Sequence, residues 1–566
     1  MNALLLALLL QGIPLEEAPA AAAAPAVPDS AVAAVVCDDP AALWDALTAG
    51  PAALRLREAG LDALLLERPQ AAQARMALAA VTSGVGGDPR AWLEAVAGDG
   101  VTLVLLPGTG DDGDTALALW ARSRDAAWRR AALAPIVAFL GGDASALAEP
   151  RGELALGEAH LAWDGDVLVA ASDAGSLDAL LAAGGRAGAA PDAVSDARRA
   201  TALAAVPGHP EAVRAWADAA WLRRQDPPPP LPDDLGGSLL FGDLHAAWVD
   251  APWVAAVLTT DGAALEARLV LPEPDGFAET HAPYLPEPVA ALWPRPADAL
   301  GRLVLRRDFA RWYTARDAYA MPEAVASSVE GEGQLRLLLG RDFGADFLPW
   351  LEPWLVVAAD LRPDAPPLEG ELPAFALGVR FREGTPEGVP QSLVNAFMAA
   401  ITFVNFENRS GDEVFLQLDL DPMEGGMVYR AVHPNVGGDE RAPFRNNFEP
   451  ELYLGADGTV WLTSSPGTVA RLLAAATDPA PGDGLALELD ASSVAALLER
   501  NRDAFVAIRT LREGGDVERA ARFVDRALAL AAAAPDASLR SRVADGRAEL
   551  VLTLTSAVGA EEEERP

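Results

Sequence analysis

Apolar residues recur along this chain in two rhythms. Short β-prone runs lie side by side across turn residues, and longer stretches repeat at helical spacing. One unit appears twice. His160-Leu161-Ala162-Trp163 leads into Asp164-Gly165 and then Asp166–Ser172; Tyr453-Leu454-Gly455-Ala456 leads into Asp457-Gly458 and then Thr459–Ser465. Asp-Gly between two such runs predicts a hairpin on a type I′ turn, because both central residues need positive φ. A helix is expected after each returning strand, over Leu177–Ala183 and Val469–Ala475, with Ser172 and Ser465 as caps. The two copies align with one gap and set His160 opposite Tyr453. A third Asp-Gly, Asp261-Gly262, joins Trp253–Thr260 to Ala263–Leu271.

A second unit is a strand ending at an aspartate that starts a helix. It is read at Asp39, Asp243, Asp308 and Asp490, after the strands Ala34–Val36, Ser238–Phe241, Arg302–Leu305 and Leu485–Leu489. Large or apolar residues return one turn later: Leu43 and Trp44, Trp248, Trp312 and Tyr313, and Val494. An aspartate at the N-cap accepts a backbone N–H and favours the helix dipole. Capping accounts for all four without catalysis.

These units predict an α+β fold, with repeated strand–helix–hairpin units forming antiparallel sheets and helices mainly on one face. Strands are expected at Val101–Leu106, Thr115–Arg122, Leu355–Ala359, Phe375–Phe381, Glu413–Asp419, Gly426–Val432 and Ala548–Thr555. Helices are expected at Asp125–Leu140 and Ser392–Phe403, and over 192–224 with Trp216 and Trp221 on a buried stripe. Two more are expected over 491–511 and 516–534. The chain divides into a leader and spacer (1–29), an N-terminal α+β domain (30–226), a Pro-rich linker (227–236) around Pro227–Pro230, and a C-terminal α+β region (237–556). That last region is divisible near 237–360 and 361–556, and 557–566 is an acidic tail read as disordered.

Composition narrows the chemistry. All 44 cations are arginine, which removes P-loop, Schiff-base and Ser-x-x-Lys lysines at one stroke. Against them stand 82 acids, a formal charge of −38, which repels nucleic-acid phosphates. The single cysteine, Cys37, forbids an internal disulfide and any multi-Cys metal site. At the amino terminus the apolar run Ala3–Leu10, then Gln11-Gly12, then a small-residue segment containing Ala18-Pro19-Ala20 has the order of a secretion signal. It lacks a basic n-region, and an ordinary first helix of a cytoplasmic protein is the alternative. The apolar run is too short to span a bilayer, and no membrane span is expected in the mature chain.

The five histidines, His160, His209, His245, His281 and His433, have no helical zinc spacing. Asp111, Asp112 and Asp114 in a glycine-rich turn are weak calcium candidates, as are Asp419, Asp421 and Glu424, but neither patch has an EF-hand frame. Asp342-Phe343-Gly344 lacks every companion of the kinase motif. The tryptophan clusters (Trp248 with Trp253, Trp350 with Trp354, Trp312 beside Tyr313) suit core packing better than a carbohydrate platform. No catalytic residue and no cofactor is expected.

In its strand–Asp–helix starts and hairpin units, notably Leu303–Tyr313, Gly340–Leu351 and Tyr453–Leu473, the chain resembles a family of uncharacterised exported bacterial proteins that carry a domain of unknown function. The resemblance spans most of residues 30–556 and implies an envelope or periplasmic protein with repeated α+β units, and no activity. The leading expectation is a non-enzymatic periplasmic or extracellular protein that binds another protein or an envelope component. Two alternatives stay open: an envelope hydrolase with a spatially assembled carboxylate site, and a calcium-dependent adhesion or assembly protein.

Overall fold

The computed structural model describes residues 27–59, 87–107, 115–182, 201–206, 212–225, 231–260, 264–272, 293–360, 373–407, 416–432, 449–477 and 484–555 apart from isolated positions, together with Ala79, Thr82, Pro227 and Tyr284. Residues 1–26, which hold most of the expected leader, the expected turn at Asp261-Gly262, Asp111, Asp112, Asp114, Glu424, His209, His281, His433 and the acidic tail lie outside the described residues.

An N-terminal wing is built from β1 (Ala33–Cys37), β2 (Val101–Pro107), β3 (Thr115–Arg122), β4 (Arg151–Leu156), β5 (Ala159–Asp164), β6 (Val167–Ala171), β7 (Val213–Asp218), β8 (Trp253–Thr260) and β9 (Ala264–Pro272). The C-terminal wing holds β11 (Ala299–Arg306), β12 (Trp354–Asp360), β13 (Ala374–Arg380), β14 (Gln417–Met423), β15 (Gly426–Val432), β16 (Glu451–Gly455), β17 (Thr459–Thr463), β19 (Leu485–Leu489), β20 (Asp536–Ala544) and β21 (Arg547–Thr555). These make one 19-stranded sheet, and β10 (Pro294–Arg295) pairs separately with β18 (Ala476–Thr477). From edge to edge the order is β4-β5-β6-β3-β2-β1-β7-β8-β9-β21-β20-β19-β11-β12-β13-β17-β16-β15-β14, and every pairing is antiparallel. The mixed helix and antiparallel-strand content makes the fold α+β. Strands β7 and β8, on either side of the proline-rich segment, pair directly.

The wings meet at a seam where β9 and β21 run in full register, with Arg268 opposite Val551 at the centre and Ala264 opposite Thr555 at one end. Outward from that seam each wing uses its last three strands in reverse order, then its first three, then its middle strands taken backwards, β6-β5-β4 in the N-terminal wing and β17-β16-β15-β14 in the C-terminal wing. Matching hydrogen bonds accompany the matching order. Ser172 and Leu117 exchange Ser172 N–H to carbonyl and Leu117 N–H to Ser172 Oγ (3.1 Å), and Ser464 makes the same pair of bonds to Phe375 (2.8 Å). The serines thus tie one strand to the next instead of capping a helix, and Ser172 corresponds to Ser464, not Ser465.

The aspartate starts are largely as the pattern predicts. Asp39 accepts from Ala42 N at 2.9 Å to open α1 (Pro40–Ala49), Asp308 from Arg311 N at 3.0 Å to open α8 (Phe309–Thr314), and Asp490 from Ser493 N at 2.6 Å to open α12 (Ala491–Arg500). Asp243 is the exception. Residues expected as a strand ending there form the middle of one helix, α7 (Leu235–Asp250), capped by Asp234. The fourth member of the set is Asp218, at the end of β7, which accepts from Trp221 N at 2.7 Å to open α6 (Ala219–Gln225). The expected helix over 192–224 is therefore corrected: Trp216 is buried on a strand.

Each wing encloses apolar clusters on both sides of the sheet. In the C-terminal wing, α9 (Pro322–Leu339) and α10 (Gly388–Glu407) cover one cluster, through Leu339, Phe397 and Ile401, with Val460 among the strand residues. The adjacent Trp461 faces the other way, into a cluster with Val469 and Leu472 of α11 (Thr468–Ala474). The N-terminal wing repeats the arrangement. Trp163 lies under α3 (Pro89–Ala97) and α4 (Ala126–Phe139), and Ala162 lies opposite, under α5 (Ala174–Ala182). The remaining helices are α2 (Pro51–Glu58), which follows α1, and α13 (Arg502–Glu513) and α14 (Val517–Ala533), which pack with α12.

Candidate functional site

The residues with titratable side chains that the fold buries deepest lie where α7 meets the C-terminal wing. Arg307 has no exposed surface, and its guanidinium donates to the carbonyls of Leu239, Leu240, Arg306 and Gly484 at 2.7–2.9 Å. Asp243, equally enclosed, lies 3.6 Å away. Above the guanidinium sits the Tyr284 ring at 5.0 Å; its hydroxyl donates to the Ser238 carbonyl and accepts from Trp312 Nε1 at 3.1 Å. Burial pushes the Tyr284 hydroxyl up to about 12, and desolvation also lowers Arg307, with Asp243 opposing it. Gly242 leaves the space for that hydroxyl, which an added Cβ would overlap. Among the described residues each polar group here faces another protein group, and the cluster clamps α7 to β11.

Other buried ions do similar work. Glu451, with no exposed surface, pairs with Arg430 at 2.6 Å and accepts from Gly467 N and Val469 N, replacing the side-chain cap that Gly467 cannot supply to α11. Asp360 pairs with Arg471 of α11 at 3.0 Å. Asp421, one of the calcium candidates, pairs with Arg430 at 2.7 Å. Among the described residues no three or more His, Cys, Asp or Glu side chains are placed to hold a metal.

The remaining candidates fall into place as parts of the scaffold. His160 faces Ala171 across the β5–β6 pair, as Glu451 faces Thr463 across β16–β17, so its counterpart is Glu451 instead of Tyr453. Asp173 caps the helix start beside it, held below the usual carboxylate range by hydrogen bonds from Ser176 and by the nearby His160. Asp342 of the Asp-Phe-Gly tripeptide caps a turn through Ala345 N at 2.8 Å. Trp253, Trp312 and Trp354 are buried in the core. Cys37 is enclosed as well; burial first, then Asp38, pushes its thiol up to about 12, which makes it inert at neutral pH.

What remains open lies at the surface. A groove of about 370 Å³ beside the β4 edge is lined by Trp163 and by Arg151 and Asp164, paired at 3.2 Å. A second, apolar groove of about 390 Å³ runs between α12, α13 and α14, bounded by Phe505, Ile508, Phe523 and Leu528, with Arg509 and Arg512 at its lip. On the C-terminal wing α10 exposes Met398, Phe403 and Phe406, the last by 68 %. Helix α10 is long and apolar enough to cross a membrane by length and composition alone, yet Val394, Phe397 and Ile401 face the core. Its Asn405 exchanges two hydrogen bonds with Leu416 next to β14. Sequence reading missed these apolar surfaces because each looks like an ordinary amphipathic stripe until the side it faces is known. No family model, curated protein or solved structure matches the chain.

Proposed function

We propose that this is an exported scaffold protein of the bacterial envelope that binds another protein or an envelope component and carries out no chemistry of its own. The observation that carries the reading is the exposure of Phe403 and Phe406, one turn apart on α10, in a protein of formal charge −38. Large aromatic side chains left in water on an acidic, soluble surface mark a place where a partner sits. The deepest ionisable groups, Arg307, Asp243, Glu451 and Asp360, support it too, since each is engaged in joining elements.

The two wings are, on this reading, copies of one repeated strand–helix–hairpin unit joined at β9–β21. Shared strand order, the serine ties at Ser172 and Ser464, and the capping aspartates Asp39 and Asp308, Asp218 and Asp490 support it. Duplication places two equivalent hairpins, β5–β6 and β16–β17, in opposite halves of one long sheet, a form suited to spanning between partners.

The test is a photo-crosslinking side chain at Phe406 in the full chain, expressed in its host. One discrete adduct in the envelope fraction is expected, lost in Phe403→Asp. Absence of any adduct overturns the reading. Turnover of envelope polysaccharide or peptide by the purified protein would replace it with a hydrolase, and an amino-terminal mass of the mature protein tests export.

A further inference from the structure

Strand β4 ends the sheet in the N-terminal wing, but its counterpart in the other wing does not. Counting outward, β6-β5-β4 matches β17-β16-β15, and the C-terminal wing then adds β14 along the full length of β15. The two strands also turn the same backbone positions outward. Gly165 N–H bonds the Pro150 carbonyl at 2.9 Å, as Ala431 N–H bonds the Pro450 carbonyl at 2.9 Å. Antiparallel alternation then points the N–H and C=O groups of Arg151, Glu153 and Ala155 away from β5, and those of Gly426, Val428 and Arg430 away from β16. On β15 these positions face Met423, Asp421 and Asp419 of β14. On β4 the same positions have no backbone partner among the described residues.

We propose that the β4 edge receives an extended segment of a partner protein, lying antiparallel in the place that β14 fills on β15. Side chains define that segment. Leu418 of β14 sits opposite Ala431 and packs on the cluster under α9 and α10. Leu154 and Leu156 of β4 pack on the cluster under α3 and α4, so apolar residues opposite them extend it. On the other face Arg151 is paired with Asp164, while the exposed Glu153 has no ion pair among the described residues. In the covered wing Asp421 of the added strand pairs with Arg430 of the strand that receives it. In the N-terminal wing the acid lies on the receiving strand, so the cation belongs to the segment, at the position equivalent to Asp421. The segment therefore reads apolar, any residue, apolar, then arginine or lysine, opposite Leu156, Ala155, Leu154 and Glu153 in turn. The groove of about 370 Å³ beside the edge, lined by Arg151, Glu153, Asp164, Val169 and Leu181, has room for that long side chain.

The probe is the sequence of β14 itself, Gln417–Met423, as a labelled synthetic peptide carrying Asp421→Arg, titrated by fluorescence anisotropy into the purified full chain. Saturable binding is expected, about fivefold tighter than for the unaltered peptide, which sets an aspartate opposite Glu153. Glu153→Arg in the protein is expected to reverse that preference. Ala155→Pro removes an outward N–H and no bond to β5, so it is expected to abolish binding while circular dichroism and the urea midpoint stay unchanged. No saturable binding at millimolar peptide overturns the proposal, as does binding that survives Ala155→Pro. A preference that Glu153→Arg leaves unreversed overturns the charge assignment. Copies that associate without peptide, and cease to in Ala155→Pro, would give the edge to a second copy instead. The site rests on the equivalence of the wings proposed above and not on α10, so a missing adduct at Phe406 and a missing peptide complex at β4 are separate failures.

Discussion

A charge with no exposed surface depends on what the fold places around it, and Arg307 illustrates the case. Its guanidinium exchanges water for four backbone carbonyls and one carboxylate, Asp243. Removing the arginine strands that carboxylate in the interior, which typically costs about 3–5 kcal/mol. Arg307→Met is therefore expected to lower the urea midpoint sharply, while Arg307→Met with Asp243→Leu recovers part of the loss. A double variant no more stable than the single would show that the carbonyl bonds, not the ion pair, dominate. Asp173 gives a test of opposite character because it is near the surface. Its carboxyl is held low by Ser176 and His160, so its contribution is present above the unfolded Asp value near 3.9 and fades as pH falls through the folded one. Asp173→Ala should cost about 1 kcal/mol at pH 7 and almost nothing at pH 2, read as the difference between two denaturant curves.

At the scale of elements, the hairpins β5–β6 and β16–β17 reach equivalent places by different turns. In the first, Asp164 pairs with Val167 across a two-residue turn, Gly165-Asp166, with Gly165 at φ 60°. In the second, Leu454 pairs with Val460; Gly458 N–H returns to the Gly455 carbonyl, and Gly458 holds φ 83° as a bulge residue after the turn. Asp457 fixes that turn by accepting from Thr459 N and Oγ1 at 3.0 and 2.8 Å. An added Cβ at Gly458 would also lie 3.0 Å from the Phe381 carbonyl. Gly458→Ala should therefore lose about 1–2 kcal/mol in thermal or urea unfolding, and a neutral result would mean the turn can relax. The hairpins were legible in the sequence as Asp-Gly between β-prone runs. Their turn types were not, because the Asp-Gly pair is compatible with more than one loop length. Asp39, Asp308 and Asp490 were legible for a local reason, since a cap acts within its own helix. Asp243 misled because Ser238–Phe241 is apolar enough for a strand, and only its distant partner Arg307 reveals a buried helical position. Strand β7 was masked by two tryptophans five residues apart. Strand β20 escaped notice because its Arg540 and Arg542 look like helical surface; across the ladder Arg542 pairs with Glu549 at 2.6 Å. The apolar stripe on α13 was readable as a period, but the side it faces was not, because its direction is set by the packing of α12 and α14.

At the scale of the whole molecule, a 19-stranded sheet is joined by one seam and carries a large excess of negative charge. The seam shows how some of that charge is managed: Glu549 of β21 is shared by Arg542 of β20 and Arg268 of β9, at 2.6 and 4.0 Å, across three adjacent strands. Every arginine in the chain could take one acid and 38 would still be left over. Those charges are closer together in the folded protein than in the unfolded chain, so their repulsion opposes folding. Salt shortens the reach of that repulsion, from about 10 Å at 0.1 M to about 3 Å at 1 M. It also weakens exposed pairs such as Arg502–Asp503, but pairs of that kind are worth only about 0–1 kcal/mol each. The enclosed pairs at Arg307 and Glu451 are screened far less. Melting temperature should therefore rise between 10 mM and 0.5 M sodium chloride, steeply at first and then level. A chloride series is the right one, since sulfate would also strengthen apolar burial and raise the curve for another reason. A melting temperature that falls with chloride would mean that the ion-pair ladders, including the one across the seam, outweigh the net repulsion of the acidic surface.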